Sequence, residues 1–265
     1  SIILMLAEEG DCDDDFDFDI FTEYVESERD KESMFGSATD ALNRMCCKLG
    51  GRVVLPTVFG TSPGLIADQT NWRNRRAGVV AISSSCTGAK KMLKPQLGKL
   101  FQMVLPLIQN DADQRVRYFA TMAVGQMLTD FEGTVQETLH ADVVPVMGTA
   151  LYENSGNCNH VRATVAYVLT TFAAAELCPS TAILPYLQPL LEGLFSVLNA
   201  PNVHFSVQEQ TIDAIAKVAV VAGENFGDFY DGFMPAAKAI ISQATSPEVQ
   251  ELRGKTMECV ALIGE

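Results

Sequence analysis

The stretch Asn110-Asp111-Ala112-Asp113-Gln114-Arg115-Val116-Arg117-Tyr118-Phe119-Ala120-Thr121-Met122-Ala123-Val124-Gly125-Gln126-Met127 decides how this chain of 265 residues folds. Its first four residues are short and polar. Asp and Asn suit such a turn because their side chains cap the helix that follows. From there Val116, Phe119, Ala120, Ala123, Val124 and Met127 recur at i, i+3, i+4 spacing and form one apolar stripe. Val207, Thr211, Ala214, Ile215, Val218 and Ala222 repeat the pattern further on. The opposite face of that later segment carries Glu209, Asp213 and Lys217, which are i, i+4 neighbours able to pair. No strand-like alternation is sustained, so the reading is all-α.

Working outward, an Arg recurs just ahead of a small, apolar run: Arg75-Arg76-Ala77-Gly78, Val116-Arg117-Tyr118, Val161-Arg162-Ala163 and Leu252-Arg253-Gly254, with Gln208 filling the slot between the last two. Positions 75, 117, 162, 208 and 253 are separated by 42, 45, 46 and 45 residues. One such interval could arise by chance; four in succession mark a repeat, in the range of about 40–47 residues typical of HEAT and armadillo units. Each period holds two helical segments, and the first often carries an internal proline (Pro56, Pro106, Pro145, Pro189, Pro235) that kinks it. A lone helix pair cannot cover its own apolar face, and stacking neighbours buries it. The expected fold is therefore an all-α, right-handed superhelical solenoid of about five to six HEAT repeats with an open concave surface. Glu209, Asp213 and Lys217 are candidates for contacts on that surface. The Arg ladder is expected to pair between repeats with turn carboxylates such as Asp111 or Asp113.

Charge is concentrated in one place. The chain has 33 acidic and 19 basic side chains, net −14, but residues 8–32 alone hold 13 acidic and two basic ones, net −11. The remainder, 20 acidic against 17 basic, is nearly neutral. Runs of like charge repel, stay extended and serve as interaction tails. Here Phe16, Phe18, Ile20, Phe21, Tyr24 and Val25 are interleaved, which a solvating linker does not need. We expect residues 1–7 to end a preceding HEAT helix, 8–32 to form an acidic, flexible loop, and 33–265 to continue the repeats. Apolar residues at the start and a last helix running to Glu265 with no polar cap lead us to expect a piece of a longer array.

Several function classes recede. An acidic chain lacks the basic patch that nucleic acid requires. Seven scattered cysteines make no disulfide framework, the opening apolar stretch is too short for a signal peptide, and the uncharged segments fall short of a membrane span, so a soluble, intracellular chain is expected. Gly254-Lys255-Thr256 imitates the end of a phosphate-binding loop, yet Val249 stands where that motif needs Gly. His140, His160 and His204 stand apart from one another, and no catalytic motif occurs. Trp72 is expected to pack at the start of its helix between layers. No enzyme activity, metal or cofactor is anticipated.

Further phrases carry a resemblance. Asp13-Asp14-Asp15-Phe16-Asp17, Cys46-Cys47-Lys48-Leu49-Gly50-Gly51, Asn71-Trp72-Arg73, Arg115-Val116-Arg117-Tyr118, Thr129-Asp130-Phe131, Leu184-Pro185-Tyr186-Leu187 and Leu252-Arg253-Gly254-Lys255-Thr256-Met257-Glu258-Cys259 cover nearly the whole chain in order. Together they resemble the importin-β (karyopherin-β) superfamily. The resemblance implies a HEAT superhelix that binds cargo on its inner surface and releases it when GTP-bound Ran enters. It implies an acidic loop within one central repeat that touches Ran or cargo, matched here by Asp11, Asp13, Asp14, Asp15, Asp17 and Asp19. The implied partners are the Ran GTPase in its GTP form, basic cargo proteins and, as a further candidate, nucleoporins; the implied location is a shuttle between cytoplasm and nucleus. The strongest Ran contacts would lie in amino-terminal repeats. The alternative is a HEAT-repeat scaffold subunit of a multi-protein assembly, indifferent to Ran.

Overall fold

Both apolar stripes are helices in the computed structural model, which describes residues 2–8, 34–152, 155–201 and 203–264; no strand occurs among them. The described residues pack as two units, one ending at Glu132 and the other starting at Gly133.

The first unit comprises α1 (Ile2–Met5), α2 (Met34–Leu49), α3 (Gly51–Ile66), α4 (Trp72–Leu93), α5 (Leu97–Asn110) and α6 (Gln114–Asp130). Its second helices, α2, α4 and α6, lie side by side, with α4 in the middle; α3 packs on α4, and α5 on α6. Burial follows the periodicity. In α2 it is Phe35, Ala38, Leu42 and Cys46, and in α5 Leu97, Leu100, Phe101, Val104, Leu105 and Ile108. A fully buried Leu or Phe of this kind is worth about 1.5–3 kcal/mol. The middle helix is buried on most of its circumference, and it approaches α2 so closely at Gly88 that an added Cβ would stand 2.4 Å from the Cys46 carbonyl carbon. Only glycine fits there. Asp113 caps α6 as expected, its carboxylate accepting from the Arg115 backbone N–H at 2.9 Å.

The second unit comprises α7 (Thr134–Thr138), α8 (His140–Leu151), α9 (Asn159–Phe172), α10 (Ser180–Ile183), α11 (Leu187–Leu198), α12 (Phe205–Ala222), α13 (Gly227–Gln243) and α14 (Gln250–Ile263). Again the second helices α9, α12 and α14 neighbour one another, while α8, α11 and α13 form the other layer. The whole stripe from Val207 to Ala222 is buried. In the turn before α9, Asn157 donates from its amide to the Ala150 carbonyl at 3.0 Å.

Pro56, Pro106, Pro145 and Pro235 lie inside first helices as expected. Pro189 does not. It is the third residue of α11, where a backbone N–H has no helical partner to lose. Gly254, Lys255 and Thr256 are interior to α14, so they open no phosphate-binding turn. The 19 residues Ser180–Leu198 are long and apolar enough to cross a membrane by length and hydropathy, contrary to the sequence reading. In the structure they are two helices broken at Leu184-Pro185-Tyr186, and half of the stretch is buried among α8, α12 and their neighbours.

Candidate protein-interaction sites

Four of the five slots share one task. The C-terminal end of each first helix leaves carbonyls without helical partners, and the slot side chain donates to one of them. Arg75 reaches the Asp68 carbonyl after α3 at 2.9 Å, Arg117 the Asp111 carbonyl after α5 at 2.7 Å, and Arg162 the last carbonyl of α8, Leu151, at 2.8 Å. Gln208 does the same toward Leu198, the last residue of α11, at 3.4 Å. Some slots also reach the next repeat. Arg75 grips the Asp111 carboxylate with two bonds of 2.6 and 2.8 Å, and Arg162 donates to Ser196 Oγ at 3.2 Å. Burial of both partners makes the Arg75–Asp111 pair a structural rivet rather than a basic strip for ligands. Arg253 is exposed.

The acidic stretch and its six candidates, Asp11, Asp13, Asp14, Asp15, Asp17 and Asp19, lie outside the described residues; the chain on either side of it does not. Leu6 and Glu8 precede it, Met34 and Phe35 follow it, and both sides meet at Arg76. This side chain is 3% exposed. Its Nη2 donates to the Glu8 carbonyl at 2.9 Å and the Leu6 carbonyl at 3.4 Å. Its guanidinium stands 4.4 Å from the Phe35 ring centroid, 4.9 Å from that of Trp72 and 5.6 Å from that of Phe119. Phe35 and Phe119 meet edge to face at 5.4 Å, and Arg115 lies over Trp72 at 3.7 Å. Such cation–ring contacts are each worth about 0.5–2 kcal/mol depending on desolvation. Trp72 thus starts its helix as expected, half-buried, but under arginines rather than between apolar layers.

The three candidates on α12 separate. Glu209 is buried, 1% exposed, because α12 is covered by α9, α11 and α14 and its polar side is not all open. The expectation that it lies on an open face is corrected. Asp213 is half-buried and pairs with Lys255 of α14 at 3.0 Å, and Lys255 also meets Glu251 at 3.4 Å. Burial alone would lower the pKa of Lys255, but its bond to Asp213 and the charge of Glu251 outweigh this and raise it. Lys217 is exposed. Asp213, Lys217 and Lys255 line a groove of about 500 Å³ across α9, α12 and α14, with Tyr167, Thr170, Glu258 and Leu262 completing its wall. Tyr167 is half-exposed and was not singled out from the sequence. A signal for it existed: Tyr167, Asp213 and Glu258 each stand five residues after a ladder slot, so the period that places Arg162, Gln208 and Arg253 in register places these too. The groove offers a phenol, carboxylates and ammonium groups at one surface. Among the described residues no group of three His, Cys, Asp or Glu converges as a metal would need.

Against known proteins, no family model matches. Importin subunit beta-3 of Saccharomyces cerevisiae is 32% identical over 263 residues, covering 99% of this chain and 23% of that protein. Over nearly its whole length the chain is similar to one part of importin subunit beta-3. Crystal structures of Kap121p bound to Pho4p and of Kap121p bound to RanGTP each match with a TM-score of 0.85 at 31% identity, over 99% of this chain and 24% of theirs. The chain therefore spans about a quarter of the length of these importin relatives. Its fold class is the all-α HEAT-repeat solenoid expected from the period.

Proposed function

We propose that this chain is the part of a nuclear transport receptor that holds basic cargo proteins and answers to the GTP form of Ran. The observation that carries the reading is homology along 99% of the chain to importin subunit beta-3, joined to solved relatives in which Kap121p is bound to Pho4p or to RanGTP. In this reading residues 1–7 end a first helix, 8–32 form the acidic loop, and 33–265 supply the following repeats. Asp11, Asp13, Asp14, Asp15, Asp17 and Asp19 attract Lys and Arg clusters on the cargo. Each exposed pair is worth only about 0–1 kcal/mol, but pairs add through avidity and speed encounter. Asp213 and Lys217, on the groove wall of the second unit, offer a further contact. The same reading places the protein in cytoplasm and nucleus, shuttling between them, with nucleoporins as further partners, and it requires neither a cofactor nor a catalytic step.

The test is a titration of fluorescein-labelled oligolysine with the 265-residue chain and with a variant carrying Asn at those six Asp positions. The variant is expected to bind roughly tenfold more weakly at low salt and to lose most of its salt dependence, since screening acts within about 8 Å at physiological ionic strength. GTP-loaded Ran, and not its GDP form, is expected to release the peptide. Equal affinity for both proteins would remove the loop from the reading. Indifference to the nucleotide would favour a scaffold subunit instead.

A further inference from the structure

We propose that the first unit carries a docking site for an acidic peptide segment with one large apolar side chain, built from a groove beside α3 and the cations around it. Charge reverses in this part of the chain. Residues 41–110 hold ten basic side chains and one acidic, Asp68, although the net charge of the whole is −14. Arg75 and Lys90 are paired with Asp111 and Asp130. Lys48, Arg52, Lys91, Lys94 and Lys99 are exposed, and among the described residues none of them forms an ion pair with a carboxylate. Helix stability explains only part of this placement. Lys48 and Lys91 stand in the last turns of α2 and α4, where a cation complements the helix macrodipole. Arg52 and Lys99 stand in the first turns of α3 and α5, where a cation opposes that dipole and no acidic residue offsets it. Cations set against local preference point to a task outside their own helix.

Packing brings these charges to one groove. Gly51 opens α3 so near the end of α4 that an added Cβ would stand 2.8 Å from the Ala89 Cβ and 3.1 Å from Met92 Sδ. The groove, about 320 Å³, is lined by Leu55, Pro56 and Phe59 of α3, by Met92 of α4, and by Arg52 and Gln96. Met92 is 43% exposed. Lys91 adjoins Met92, Lys94 stands two residues before Gln96, and Lys48 stands four before Arg52. This volume lies at the small end of the range of about 300–1,000 Å³ for ligand clefts, enough for one anchoring side chain. The cations around it then take the carboxylates on either side of that anchor. Nucleic acid is the poorer fit, because a phosphate backbone needs a longer basic track and meets a chain of net −14. The site goes beyond the proposed function, which concerns basic cargo.

The probe is a fluorescein-labelled peptide with one Phe between runs of Glu, titrated with the 265-residue chain. The chain is expected to bind it, and to bind versions with Ala for Phe or Gln for Glu roughly tenfold more weakly. Arg52→Gln combined with Lys91→Gln and Lys94→Gln, all at exposed positions, is expected to weaken binding of the Glu–Phe peptide roughly tenfold and to flatten its salt dependence. The same variant should bind the Gln–Phe version as the parent does, a split that loss of folding would not produce. Met92→Gln, which keeps every charge, is expected to weaken the Glu–Phe peptide roughly threefold and the Ala version not at all. Oligolysine should bind the triple variant at least as tightly as the parent, so this site and the cargo reading fail separately. Equal affinity of parent and triple variant for the Glu–Phe peptide, or equal affinity of the parent for the Phe and Ala versions, overturns the proposal. Displacement of the labelled peptide by short duplex DNA as readily as by unlabelled peptide overturns it too, since the surface would then answer to charge alone.

Discussion

The same slot is filled by different chemistry in the two units, and the contrast separates two jobs that a repeat alignment would merge. In the unit ending at Glu132, Arg75 ties off its own first helix and also grips a buried carboxylate, Asp111, from the next repeat. In the unit starting at Gly133, Arg162 ties off its helix and meets only the neutral Ser196 ahead, and Gln208 ties off its helix with a single long bond. Capping the first helix is thus common to the slots at Arg75, Arg117, Arg162 and Gln208. The ion pair between repeats is an addition, made where both partners are shielded from water.

If that division is right, the largest effect belongs to Asp111→Ala. It strands the buried Arg75 cation, and urea unfolding should show a loss of about 3–5 kcal/mol. The double change Arg75→Met with Asp111→Ala should cost clearly less, since no uncompensated charge remains. An Asp111→Ala loss no larger than that of a slot in the other unit would break the comparison.

Next comes acid sensitivity in the second unit, where His160 is buried and burial pushes its pKa down to about 4. The unfolded chain takes up that proton near pH 6.5 and the folded chain does not, so stability is fully present above pH 6.5 and falls as the pH drops toward 4. The loss attributable to this group should approach about 3 kcal/mol. Subtracting the unfolding profile of His160→Gln from that of the parent isolates it. A flat difference between pH 7 and 4.5 would contradict the assignment. In the first unit Asp113 works at lower pH. Burial raises its pKa, but the bonds from Arg115 prevail and lower it, so its contribution is lost only in more acidic solution.

The smallest effect is expected at Gln208→Ala, less than about 1 kcal/mol, because one neutral hydrogen bond at 3.4 Å is removed and no charge is stranded. A larger loss would mean that Gln208 does more than tie off its helix.

The period was legible because it needs only one residue per repeat, and the Arg slot supplies it from position 75 to 253. Asp111 was legible as a partner because it stands in the polar turn six residues ahead of the next slot, Arg117. Asp113, the other candidate, instead caps α6 and holds Arg115 within its own turn. The faces of α12 were harder to read. Periodicity tells which side of a helix is apolar, but a second helix in a stack is covered on more than one side, and Glu209 is buried in spite of its charge. The contacts of Arg76 with Leu6, Glu8 and Phe35 were hidden beside Arg75, since one phrase of sequence contained two arginines with unrelated targets. What decides between them is the direction each leaves α4, which letters alone do not carry.

The chain contains a single tryptophan, and it stands at the point where α2, α4 and α6 meet, under Arg115 and beside Arg73 and Arg76. Nature has placed one intrinsic fluorophore at this junction, in contact with cationic groups whose distance governs its emission. Any event that pries the second and third of these helices apart will register as a change in native ultraviolet emission, with no dye attached and no background from a second indole.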